Sequence, residues 1–170
     1  MKKHYLLIKK VRIEHNEISK NRKGLQLEPR DIDEGFIFES NGVKVTAFRV
    51  NHHDLYSSEP SLGYRIDYNH KSVVISGDTR YCENLIEYSK NVDLLIHEVA
   101  AIPLGEDVVD RYKVALNHHT LPEECGKIFS IVKPKLAVYT HIIQFQGVSL
   151  GEMMNRTKME YDGPVIFSED

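Results

Sequence analysis

No stretch of this 170-residue sequence carries the ~18–20 consecutive apolar residues that a membrane-spanning helix needs. The N-terminal MKKHYLLIKKVRIEH sets basic residues around an apolar patch, but Lys9 and Lys10 cut that patch short of a signal-peptide core. Cysteine is scarce as well. Cys82 and Cys125 are the only two, with no CxxC and no spacing that would build a disulfide framework. Two inert thiols and a cytoplasmic location are the expectation. A global excess of positive charge is also missing. The 22 Lys and Arg against 25 Asp and Glu give a formal net charge of −3, so bulk charge does not draw the chain to nucleic acid. Basic residues are nonetheless dense in the first thirty positions. Repeats, low-complexity tracts and linkers that would split the chain are absent. What remains, 41% apolar and 28% charged, is the composition of an ordinary globular domain with one core.

Residues 1–35 are polar and irregular. FIFESNGVKVTAFRV (36–50) alternates about Asn41-Gly42, the signature of a β-hairpin. LGYRIDY (62–68) and KSVVISGD (71–78) continue the alternation, connected by Asn69-His70. ENLIEYSKN (83–91) has a partial apolar helical face, and DLLIHEVA (93–100) is a continuous apolar run expected to be a buried strand. Residues 101–117 read as a loop with a short helix near Val108–Leu116. Thr120 is the expected N-cap of the next helix, with Pro122 in its first turn and Glu123 closing a capping box. That helix should end near Lys133. KLAVYTHI (135–142) is a further buried strand, residues 150–160 a helix, and GPVIFSED a last strand. The order is a hairpin-rich β section followed by β-α-β-α-β.

The chemistry gathers at the strand tips. VTAFRV runs out into Asn51-His52-His53-Asp54, VVISG into Asp78, LLI into His97-Glu98 and AVYT into His141. His118-His119-Thr120 precedes a helix. Ligand sites of open sheets lie outside the carboxyl ends of strands, and His with carboxylate is a donor set for zinc and related divalent ions. Asp78 has two oxygens with which to bridge two metals. Gly77 would let the backbone turn closely, with Thr79 and Arg80 as supports. Each residue also has a duller reading. Asp78 after Gly77 suits a turn, His141 a strand end, and His97-Glu98 a buried polar pair, while His52, His53, His118 and His119 suit loops. His4, His15 and His70 lie in polar surroundings and read as surface residues.

SGDTRYCENLI, VDLLIHEVA, NHHTLPEECGKI and KPKLAVYTHI, in this order and spacing, resemble the second half of metallo-β-lactamase-fold hydrolases of the ribonuclease Z group. VNHHD and LGYRIDY match the stretch before it. The resemblance covers residues 36–170. It implies an α/β (α+β) chain forming the second half, plus flanking strands, of an αββα sandwich. Carried over, His52, Asp78 and His141 would be zinc ligands, with Asp78 bridging two ions. His118, Glu98 and His97 would be catalytic, the histidine assisting departure at the scissile phosphate and Glu98 orienting it. Thr79, Arg80 and His119 would bind substrate. The reaction implied is attack of a metal-bound hydroxide on a phosphodiester, with RNA as a partner.

The HxHxDH motif that supplies the remaining ligands in this group does not occur in the sequence, nor does a long Gly/Pro-rich insertion of the kind that grips tRNA. The expectation is therefore the C-terminal part of a longer enzyme, or a truncated relative, that self-associates or pairs with the missing half. Two rival readings stay open: a non-catalytic remnant, and the same metal centre acting on a sulfate ester, lactone or thioester.

Overall fold

The structure is a computed structural model that describes residues 31–52, 60–105 and 112–169. The chain divides into two units, residues 1–31 and 32–170, and only the second is described below. His4, His15, His53, Asp54 and the segment from Val108 to Asp110 lie outside the described residues.

Seven strands form one sheet in sequence order: β1 (Gly35–Ser40), β2 (Val43–Arg49), β3 (Leu62–Tyr68), β4 (Lys71–Ile75), β5 (Leu94–Ala101), β6 (Leu136–Gln144) and β7 (Val165–Phe167). The first four pair antiparallel and the last four parallel, β4 belonging to both sets. Two-residue turns at Asn41-Gly42 and Asn69-His70, all four residues at positive φ, can only return the chain antiparallel. The segments after β4 are long enough to carry helices and bring the next strand back in the same sense. Those helices are α1 (Glu83–Tyr88), α2 (Lys113–His118), α3 (Pro122–Val132) and α4 (Leu150–Lys158). Among the described residues, no helix is long and apolar enough to cross a membrane.

Strand alternation sorts the sheet into two faces. Phe48, Val74, Leu95, Ala137 and Tyr139 point to one and are buried under Leu85 of α1, Ile128 and Phe129 of α3 and Met153 of α4. Arg156, 3% exposed, ties this layer together. Its guanidinium donates to both Glu123 oxygens at 2.6 and 3.0 Å and to the Ile102 carbonyl at 2.8 Å. The other face carries Val45, Ile66, Val73, Leu94 and Leu136 in one cross-strand row and Tyr64, Ile75, Ile96 and Val138 in the next. All nine are half-buried rather than exposed outright.

One expected cap is corrected. α3 starts at Pro122 with Leu121 as N-cap, and the Leu121 N–H donates to Glu124, not Glu123. Thr120 lies one residue before the N-cap, and its side chain is turned to a tertiary partner instead of the helix. Its N–H donates to Glu98 (2.7 Å) and its hydroxyl to the Thr79 carbonyl (2.6 Å).

At the end of β4, Gly77 has φ +63°, and a Cβ there would stand 2.6 Å from the Leu62 carbonyl oxygen. Gly77→Ala is expected to lower stability by roughly 1–3 kcal/mol, through left-handed strain and this clash together. Urea titration checks this, and a loss below about 0.5 kcal/mol would contradict it.

Candidate metal and catalytic centre

Asp78, Thr79 and Arg80 leave β4 as a loop stitched to the end of β2. The Asn51 N–H donates to the Thr79 hydroxyl (3.0 Å) and the Arg80 N–H to the Asn51 carbonyl (3.0 Å). Thr79 is fully buried, and its hydroxyl donates in turn to the Arg80 carbonyl. It therefore shapes the loop and has no surface to offer a substrate. Arg80 is half-buried beside it.

Opposite this loop, β6 carries a defect. β5 and β6 pair Glu98 with Thr140 and then Val99 with Ile142, which leaves His141 as the extra residue of a bulge, at φ +43°. A bulge re-aims a side chain that a regular strand would point elsewhere. Here it brings the His141 Nε2 to 3.5 Å from the Asp78 Oδ2.

Glu98 lies behind them, 1% exposed. A buried carboxylate must have hydrogen-bond donors. Thr120 N–H supplies one to Oε1, and His119 Nδ1 supplies the other to Oε2 at 3.1 Å. The Glu98 N–H itself donates to the buried Ser76 hydroxyl (3.1 Å), which holds β5 to the tip of β4. The Glu98 carboxylate keeps the His119 imidazole above its ordinary range, with a smaller contribution of the same sign from Asp78. The imidazole that Glu98 orients is thus His119, next to the His118 implied by resemblance. His118 lies one residue back at the end of α2, and its carbonyl accepts from His52 Nδ1 at 2.9 Å. A carbonyl can only accept, so His52 Nδ1 carries a proton and the bond fixes the ring's orientation. The four rings form a chain, His118–His52 at 5.0 Å, His52–His119 at 5.4 Å and His119–His141 at 5.6 Å between centroids.

His97 belongs elsewhere. Next to Glu98 on the strand, it points to the opposite face and is fully buried against Phe129 (centroids 5.9 Å) and Cys125. Its Nδ1–H donates to the Glu98 carbonyl at 2.6 Å, and its Nε2 has no partner among the described residues. Burial drives this imidazole's pKa down. It is a neutral core residue with no route to a substrate. The resemblance grouped it with Glu98 because they adjoin in sequence, but strand alternation separates them. Ser76 and Thr120, in contrast, hold the centre together without having been singled out for it. Ser76 ends an apolar strand, and Thr120 has the composition of a cap.

The donors present suit a divalent ion. At 3.5 Å, Asp78 and His141 stand too far apart for a good hydrogen bond. Two ligands on one tetrahedral zinc, each ~2.0–2.2 Å from it, stand roughly 3.3–3.6 Å apart. Among the described residues, no three His, Cys, Asp or Glu side chains close around one point.

With this geometry in view, the comparison with known proteins is decisive for family. The β-lactamase superfamily domain matches residues 7–142. The chain belongs to that family. Ribonuclease Z of Myxococcus xanthus is 28% identical over 100 residues, which cover 59% of this chain and 31% of that protein. Ribonuclease Z of Mycobacterium avium is 25% identical over 122 residues, covering 69% and 41%. The chain thus spans about a third to two-fifths of the length of these relatives. A metallo-β-lactamase-fold protein from Bacillus subtilis superposes over 91% of this chain and 60% of its own, with a TM-score of 0.64 at 18% identity. Human tRNase Z, short form, covers 79% and 44%, with a TM-score of 0.53 at 21% identity. At these identities the structural likeness shows the fold.

Two expectations concern the acid–base groups. His97 stays neutral when folded, whereas the unfolded chain takes up a proton there below about pH 6.5. Stability is therefore full above that pH and falls as pH drops through it, by up to ~1.4 kcal/mol per unit. Urea midpoints from pH 8 to 5 for the native protein and His97→Phe check this, and equal acid-side slopes would contradict it. His119 carries the opposite sign, its raised pKa giving a contribution that is lost as pH rises. Glu98→Gln should bring the His119 titration midpoint, read by NMR, down toward the ordinary imidazole value. An unmoved midpoint would show that Glu98 does not set it.

Proposed function

We propose that this chain carries part of the centre of a zinc-dependent phosphodiesterase similar to ribonuclease Z, with RNA as the substrate class. The observation that carries the reading is the bulge at His141, which sets its Nε2 against Asp78 at a zinc-ligand spacing on the strand-tip end of a β-lactamase-superfamily sheet. Asp78 and His141 would hold the metal, and His52, just beyond β2, is the further ligand that the family resemblance implies. A divalent ion so held would supply Lewis acidity and lower the pKa of bound water.

The chain's own residues divide the remaining work. His119, whose imidazole Glu98 shifts toward the protonated form, is placed to give a proton to a departing oxygen. Glu98 fixes the ring's tautomer and orientation and is itself held by Thr120 and Ser76. His118 positions His52 through its carbonyl. The remaining donors of the centre would come from the part of such an enzyme that this chain does not match. The apolar rows of Val45, Ile66, Val73 and Leu94 offer the face on which that part, or a second copy, would pack.

Zinc calorimetry on the 170-residue protein tests this. Asp78→Ala and His141→Ala should each weaken zinc binding at least about tenfold, with melting temperatures close to native, whereas His70→Ala should change nothing. Unchanged zinc affinity in both strand-tip variants would overturn the assignment.

A further inference from the structure

The cavity beside the histidines, about 440 Å³, has a second wall that the chemistry above leaves unused. His52, His118 and His119 line it on the polar side, and Tyr112, Ile143 and Phe145 are among its apolar lining residues. We propose that this wall is a subsite for a planar heteroaromatic ring, the nucleobase adjoining the reacting phosphoester, with Tyr112 and Phe145 as its specificity-determining residues. The inference rests on the phosphodiesterase reading and adds to it a stated place for the base.

Three observations support it. The two rings form a fixed corner, with centroids 4.9 Å apart and planes inclined at 56°. They are too close to admit a third ring between them, so a ligand ring would pack against the surfaces that the two rings present to the cavity. The corner is built in advance of binding. Tyr112 opens α2, and the Phe145 N–H donates to the Ala101 carbonyl at 3.0 Å, which pins the end of β6 to β5. No Asp or Glu occurs among the described lining residues, so an anionic ester entering here meets imidazoles first. The volume lies in the ~300–1,000 Å³ range of small-ligand sites. Apart from the Tyr112 hydroxyl the wall offers no hydrogen-bonding side chain, so it reads ring area rather than base identity.

Ligand-observed NMR on the full 170-residue protein, with 5′-AMP, 5′-UMP and ribose 5-phosphate at one ionic strength, tests this directly. AMP should bind about tenfold or more tightly than ribose 5-phosphate, with UMP between them. Tyr112→Ala and Phe145→Leu should bring the AMP-to-ribose-phosphate ratio close to one, and Tyr112→Phe should restore it. Equal binding of AMP and ribose 5-phosphate by the native protein overturns the base subsite and leaves the phosphoester reading standing, a comparison that needs no variant to fold. A ratio that survives both Tyr112→Ala and Phe145→Leu overturns the assignment to these residues. Failure of all three ligands to bind overturns the phosphoester reading and the subsite together.

Discussion

A carboxylate buried to 1% exposure has to be satisfied, and the arrangement of this site follows from how Glu98 is satisfied. Its two oxygens take the Thr120 N–H and the His119 Nδ1. Its main-chain N–H takes the Ser76 hydroxyl, and its carbonyl accepts from His97. Three separate pieces of chain meet at one residue: the tip of β4, the outer half of β5, and the connection between α2 and α3. Thr120, fixed by Glu98, donates its hydroxyl to the Thr79 carbonyl and so fixes the loop that presents Asp78. The register slip that frees His141 from the ladder begins at the same residue. Without Glu98, the Asp78 loop, the His119 ring and the bulge would each lose a constraint.

Much of the fold was legible because its signals are local. The Asn41-Gly42 turn, the alternation of residues 62–68 and the apolar runs at 93–100 and 135–142 each specify an element within a few residues. Their order then implies an antiparallel section running into a parallel one. The site was legible as a set of strand tips, since His52, Asp78, Glu98, His119 and His141 all fall at one end of the sheet. What could not be read was set by contacts distant in sequence. Thr120 looks like a cap, but it lies one residue before the N-cap and turns its donors to Glu98 and Thr79. His97 looks like Glu98's catalytic neighbour until alternation sends it into the core. The His141 bulge depends on a pairing with β5 across some forty residues, and no local pattern announces it. The Tyr112–Phe145 corner joins two elements whose meeting no periodicity predicts.

The strand-tip residues divide into buried and open side chains. Thr79, Ser76, Glu98 and Thr120 are buried and fully engaged, so their geometry is rigid. Asp78 and His141 keep about half of their side-chain surface exposed, 43% and 50%, and lie within reach of an incoming ion or ligand. Rigid supports behind accessible donors are what a preorganised site requires. Superfamily membership is compatible with that division, and in the proposed reading Asp78 and His141 would receive the metal.

The central claim is that the His141 bulge exists to make a metal pair with Asp78. Crystals of the protein grown with zinc, measured at the zinc absorption edge, test it most directly. The account predicts an anomalous peak about 2.0–2.2 Å from both an Asp78 carboxylate oxygen and the His141 Nε2. A peak seated on His52, His118 and His119 without Asp78, or no peak at the strand tips at full zinc loading, would contradict it.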